Sequence, residues 1–221
     1  MKDLKISIYG DSLSTFENYV PEDALFYYPI YSQTVKSVDK TWWHILLNKT
    51  GFKLHTNVSY AGSCVCGDNS SCGVNDIRLK KLIINNEAPD IIIILLGIND
   101  VVSGIDEIVF KNTYIEMINK IKSLCPKSKI LITNLHYETA SDGSGNAPES
   151  YIHIGLRDKY NIIFNELAKE LNLPLIDIAK LITKKTDSFG NKKHVGDNIH
   201  FNDEGMKVVA EEAYKVLMKT L

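Results

Sequence analysis

Residues 90–97 read "DIIIILLG", six apolar residues with no alternation between faces, bounded by an aspartate and a glycine. A strand with one face in water alternates apolar and polar residues, so an unbroken run this short fits a parallel strand covered on both sides. Four further runs are similarly apolar and bounded, "LKISIYG" at 4–10, "LHTNVSY" at 54–60, "KILITNL" at 129–135 and "PLIDIA" at 174–179. Helical patterns lie between them. "TWWHILLNKTG" stops at Gly51; Phe110, Tyr114, Met117, Ile118 and Ile121 line one helical face before Pro126. Leu156, Tyr160, Ile163, Leu167 and Leu171 form another before Pro174, and Met206, Val209, Ala210, Ala213 and Leu217 a last one. Strands alternating with helices predict an α/β fold, a three-layer α/β/α sandwich around a five-stranded parallel sheet of flavodoxin-like type. No repeat, linker or low-complexity tract interrupts residues 1–221, so one domain is expected, with an aromatic-rich insertion at about 17–38.

The charge balance narrows the partners. A formal net charge of −2 provides no basic field for nucleic acid and no polybasic membrane anchor. No stretch approaches the roughly 18 apolar residues of a membrane span. The opening "MKDLKISIYG" enters a strand at once, without the apolar region of a signal peptide, so a cytoplasmic chain is expected. Cys64, Cys66 and Cys72 crowd into "GSCVCGDNSSCG", with Cys125 apart. Their spacing lacks a C-x-x-C pair and a fourth zinc-type ligand nearby, which favours structural thiols over a disulfide or a metal site. No metal and no cofactor are expected.

In a parallel sheet every strand ends at the same edge, so residues that follow strands meet there. The first strand exits through "GDSLS", where Gly10 permits a turn or a close backbone approach and Ser12 follows. The second leads to Gly62 in "AGS", the third to Gly97, Asn99 and Asp100 in "GIND". "GDNIHFNDEG" brings Asp197 and His200 to the start of the last helix. Serine becomes a good nucleophile only when a base takes its proton, and His200 is the candidate base. Asp197, three residues away, can hold the imidazole tautomer and stabilise the imidazolium. The Ser12 and Gly62 backbone N–H groups and the Asn99 side-chain amide are candidate donors to an oxyanion. Asp11 reads as a brace for the loop.

These four blocks, "GDSLS", the glycine of "AGS", "GIND" and "DNIH", resemble those of the SGNH hydrolases, also called GDSL esterases and lipases, in order and spacing from residue 10 to residue 200. The resemblance implies the SGNH hydrolase fold, Ser12 as nucleophile, Gly62 and Asn99 completing an oxyanion hole with the Ser12 N–H, and Asp197 and His200 finishing a triad. It names no substrate, because the family spans carbohydrate deacetylation, lipid and thioester hydrolysis and arylesters.

Residues 17–38 follow the nucleophile directly and carry Tyr19, Tyr27, Tyr28 and Tyr31. Aromatic rings with hydroxyl handles suit sugar faces, and the few aliphatic residues there are interrupted by Glu17, Glu22 and Asp23. The expectation is a serine esterase removing short acyl groups, acetyl above all, from a small molecule or oligosaccharide. Lipase, lysophospholipase or thioesterase activity is the alternative. Outside enzymes, "SLST" could cradle a phosphate in a flavodoxin-like binding protein, although Asp11 would set a negative charge against it. An α/β-hydrolase is disfavoured, since its G-x-S-x-G elbow is absent. Residues 138–150, polar and turn-rich, read as a surface loop on the same edge.

Overall fold

A computed structural model describes residues 3–136, 154–182, 193–197 and 199–221 of the chain. The loop expected at 138–150 lies outside them. Five strands, β1 (Lys5–Gly10), β2 (Lys53–Ser59), β3 (Ile91–Leu95), β4 (Lys129–Thr133) and β5 (Leu175–Ile176), form one parallel sheet in the order β2-β1-β3-β4-β5. The uninterrupted isoleucine run is the middle strand: every residue of β3 is buried, paired with β1 on one side and β4 on the other. β5 is shorter than the run at 174–179 predicts. Only two of its residues pair with β4, after which Asp177 and Ile178 leave the sheet edge.

Helices cover both faces. α1 (Trp42–Thr50) packs against α6 (Asp203–Thr220), while α4 (Glu107–Leu124) packs against α5 (Ile154–Glu170). The α4–α5 contact is aromatic: the Phe110 and Tyr160 rings stack 3.9 Å apart, and Phe164 sits edge-on to both Phe110 and Tyr114. Phe110, Tyr114 and Tyr160 are among the residues whose helical spacing marks the buried faces; Phe164 is not. α4 starts where the Asp106 carboxylate accepts from the Ile108 and Val109 N–H groups, and α6 where the Asn202 side chain accepts from Gly205 N–H. Two short helices follow no clear periodicity, α2 (Asp76–Lys80) and α3 (Ile98–Val102).

This order puts the ends of β2, β1 and β3 side by side. The chain reverses direction across the sheet between β1 and β3, the crevice where open α/β sheets bind their ligands. Among the described residues, no helix is long and apolar enough to cross a membrane.

Candidate active site

The carboxyl end of β1 turns sharply because Gly10 has no side chain. A Cβ there would lie 2.7 Å from Ser14 Oγ and 3.0 Å from the Leu95 carbonyl oxygen. Close approach, not a positive φ, is what this glycine provides. The next residues form a 3-10 turn, Ser12–Ser14, in which Asp11 accepts from the Leu13 N–H at 3.0 Å. Ser12 stands at the head of that turn. Its hydroxyl lies 2.9 Å from His200 Nε2, and His200 Nδ1 lies 2.8 Å from Asp197 Oδ2.

His200 and Asp197 are held from several sides. Asp197 Oδ1 accepts from the Ile199 and His200 backbone N–H groups at 2.7 and 2.6 Å, fixing the turn that carries both residues. Burial alone would raise the Asp197 pKa. The hydrogen bond and charge of His200, with those two N–H groups, outweigh it and hold the carboxyl well below the usual range. An ionised Asp197 makes His200 Nδ1 the protonated nitrogen and leaves Nε2 to accept the Ser12 proton.

Asn99 lies in the first turn of α3, the helix that follows β3. Its Nδ2 donates to the Ser63 carbonyl at 2.9 Å, so one amide proton is anchored to the loop that carries Gly62. Gly62 takes φ +76°, the left-handed region that a side chain disfavours. Asp100, the neighbour of Asn99, is buried and accepts from the Val65 and Cys66 N–H groups at 2.8 and 3.0 Å. The "GIND" block thus grips the 62–66 loop twice. Cys64, Cys66, Cys72 and Cys125 carry free thiols, and burial pushes the Cys64 and Cys66 thiols up to about 11 and about 12.

Arg78 has no counterpart among the sequence expectations. It lies in α2, fully buried, with Nη2 donating to the Gly10 and Val58 carbonyls and Nη1 to Ser63 Oγ and the Ser71 carbonyl. The guanidinium sits 4.3 Å from the Tyr9 ring centre and 5.1 Å from that of Tyr60. One cation therefore ties the last residue of β1 to β2 and to the loop after it. His136 is the second unforeseen residue: buried beyond β4, its Nε2 faces the Ile199 carbonyl at 2.8 Å, and burial pulls its pKa down to about 4. A neutral ring donating from Nε2 supports the Asp197–His200 turn from below.

The aromatic insertion divides. The expectation that Tyr28 meets the substrate is not fulfilled: it is fully buried, its hydroxyl donating to the Phe201 carbonyl at 2.9 Å. Its role is to anchor the insertion on the segment just past His200. Tyr19 packs on Trp43 and Phe16 and lines a separate open cavity of about 850 Å³ beside β2 with Leu54 and His55. Tyr27 lies flat on the His200 ring, and Tyr31, 69% exposed, stands 5.7 Å from Tyr27 between ring centres.

Asp11 braces the loop and also titrates. Its carboxyl is fully buried, and among the described residues Oδ2 has no hydrogen-bond partner. Burial pushes its pKa up to about 7, against the opposing pull of the Leu13 N–H and the Arg78 charge. The folded chain thus keeps a proton that the unfolded chain has released. The stability this confers is complete below about pH 4 and is lost as pH rises through about 7. Asp11→Asn is expected to flatten the fall of the thermal midpoint between about pH 4 and pH 7, the window those two values define. Parallel midpoint curves for variant and wild type would remove Asp11 as the source.

A family model for "GDSL-like Lipase/Acylhydrolase" matches residues 4–217. No curated protein matches the sequence. Among solved structures, a protein assigned as a GDSL-like lipase from Bacteroides ovatus superposes over 100% of both chains with TM-score 0.72 and 22% identity. One assigned as an arylesterase from Agrobacterium tumefaciens covers 99% of this chain and 100% of its own, with TM-score 0.73 and 18% identity. At those identities the likeness concerns the fold. The match along residues 4–217 reaches further than fold, and by it the chain belongs to the GDSL-like lipase/acylhydrolase family, hydrolases of ester bonds.

Proposed function

We propose that the protein is a serine esterase that removes short acyl groups, acetyl above all, from a carbohydrate. The observation that carries the hydrolytic part is the relay from Ser12 Oγ to His200 Nε2 at 2.9 Å and from His200 Nδ1 to Asp197 Oδ2 at 2.8 Å. Ser12 Oγ attacks the acyl carbon while His200 takes its proton; the carbonyl electrons move onto oxygen. The Ser12 and Gly62 N–H groups and the second amide proton of Asn99 receive that oxyanion. Ser63 already holds the first proton, so the amide needs no reorientation as charge develops. Collapse expels the alcohol, which leaves with the proton from His200, and an acyl-Ser12 remains. Water, deprotonated by His200, then releases the acid and restores Ser12. No step draws on a metal.

The carbohydrate part rests on the exposed Tyr31 ring, which stands beside Tyr27 and so close to His200. A ring with a hydroxyl can cover the C–H face of a sugar and bond its rim. A chain-length series of p-nitrophenyl esters, run beside a panel of acetylated sugars, tests both parts. Acetate preferred over octanoate, with acetate released from a sugar, is the expected result. A rate that climbs steadily to octanoate would mark a lipase, and preference for acyl thioesters a thioesterase.

A further inference from the structure

Tyr27, one of the tyrosines expected to meet the substrate, lies directly against His200 and Asp197. Its ring lies 3.5 Å from that of His200, centre to centre, with only 6° between the planes. Its hydroxyl donates to Asp197 Oδ2 at 2.8 Å, the same oxygen that faces His200 Nδ1. Its backbone N–H donates to Thr15 Oγ1 at 2.9 Å, and that hydroxyl donates to the Ser12 carbonyl at 2.9 Å. One residue of the insertion thus touches the carboxylate, the imidazole and, through Thr15, the turn that carries the serine. Tyr28 fixes it in place: the two rings meet edge-on at 4.9 Å, and Tyr28 is anchored to the Phe201 carbonyl.

We propose that Tyr27 is a positioning residue that sets the basicity of His200 by two opposed contacts, an inference resting on the esterase reading above. The phenol hydrogen bond draws electron density from Asp197 Oδ2 and weakens its hold on a protonated His200. The ring face, negative at its centre, attracts the imidazolium that forms when Ser12 gives up its proton. Burial and the nearby carboxylate push the Tyr27 phenol pKa up, so it remains a donor across the working pH range. The other groups around His200 are Ser12 from the β1 turn, Asp197 on its own loop, Tyr28 from the insertion and His136 beyond β4. Of these, only Asp197 is anionic, and it is the group Tyr27 touches.

Two variants separate the contacts. Tyr27→Phe keeps the ring and removes the hydroxyl, so the acid limb of kcat/KM should move up by about half to one pH unit, with KM little changed. Tyr27→Leu removes both, so its limb should fall below that of the Phe variant, and its plateau kcat should drop by about a further threefold or more. The histidine ring-proton titration by NMR, followed without substrate in wild type and both variants, should show the same order for His200. Coincident limbs and titrations for the two variants, or changes confined to KM, would overturn the proposal. An NMR order as expected in a protein that hydrolyses no ester would uphold the positioning role and overturn the esterase reading instead.

Discussion

Ser12→Ala should lower kcat for ester hydrolysis by about four to six orders of magnitude while leaving the thermal midpoint nearly unchanged. The side chain is almost buried and its hydroxyl is directed to His200 Nε2 at 2.9 Å, so alanine removes one hydrogen bond and a small volume. What it removes chemically is the hydroxyl to which the acyl group is transferred in the proposed mechanism. Ser12, His200 and Asp197 act as a unit, so a Ser12→Ala/His200→Ala double variant should be no slower than Ser12→Ala alone. Steady-state rates on p-nitrophenyl acetate measure both. Retention of more than about a tenth of wild-type kcat, a barrier change below about 1.4 kcal/mol, would show that another group is the nucleophile.

Arg78→Leu should cost about 3–5 kcal/mol of stability and lower the thermal midpoint by roughly 10 °C or more. Leucine can fill much of the space between Tyr9 and Tyr60, yet it takes the guanidinium from the Val58 and Ser71 carbonyls and Ser63 Oγ and leaves the Gly10 carbonyl with the Tyr60 N–H alone. Arg78→Lys keeps the charge but cannot span four acceptors with one ammonium, so it should recover only part of the loss. Because two of those acceptors are Gly10, next to the turn that carries Ser12, and Ser63, in the loop that carries Gly62, the surviving folded fraction should also turn over more slowly. Thermal melts followed by circular dichroism decide the first claim. A midpoint within about 3 °C of wild type would show that water replaces the guanidinium without loss.

Arg78 also marks where the sequence stops being readable. In "NDIRLKK" it looks like one more charge on a short polar helix, flanked by Asp76 and Lys80. What buries it are carbonyls from β1, β2 and a loop, none of them within reach of a local pattern. The isoleucine run at 91–95 is legible for the opposite reason: a strand covered on both faces must be apolar at every position, and that constraint is local. The contact of Ser12 with His200 and Asp197 is legible because Ser12 follows β1 and the other two precede α6, so the topology carries them toward one another. The tyrosines fall between these cases. Tyr27 and Tyr28 are adjacent in an aperiodic segment, and only the path of that segment decides that one caps a histidine while its neighbour is buried beneath. The apolar pattern overextends β5 because Leu175, Ile176 and Ile178 are equally apolar inside the sheet and just past its edge.

The 2.9 Å contact between Ser12 and His200 joins residues 188 positions apart. During synthesis the serine turn emerges early and waits, chemically inert, until nearly the whole of that distance has been translated. On the proposed mechanism a nascent chain would carry Ser12 without its base, and an esterase assay on ribosome-bound chains should register nothing until residue 200 has cleared the exit tunnel. The same separation makes hydrolysis a late reporter of refolding from denaturant. Secondary structure can return while the two ends of the relay are still apart, so ester turnover should trail far-ultraviolet circular dichroism in a stopped-flow experiment.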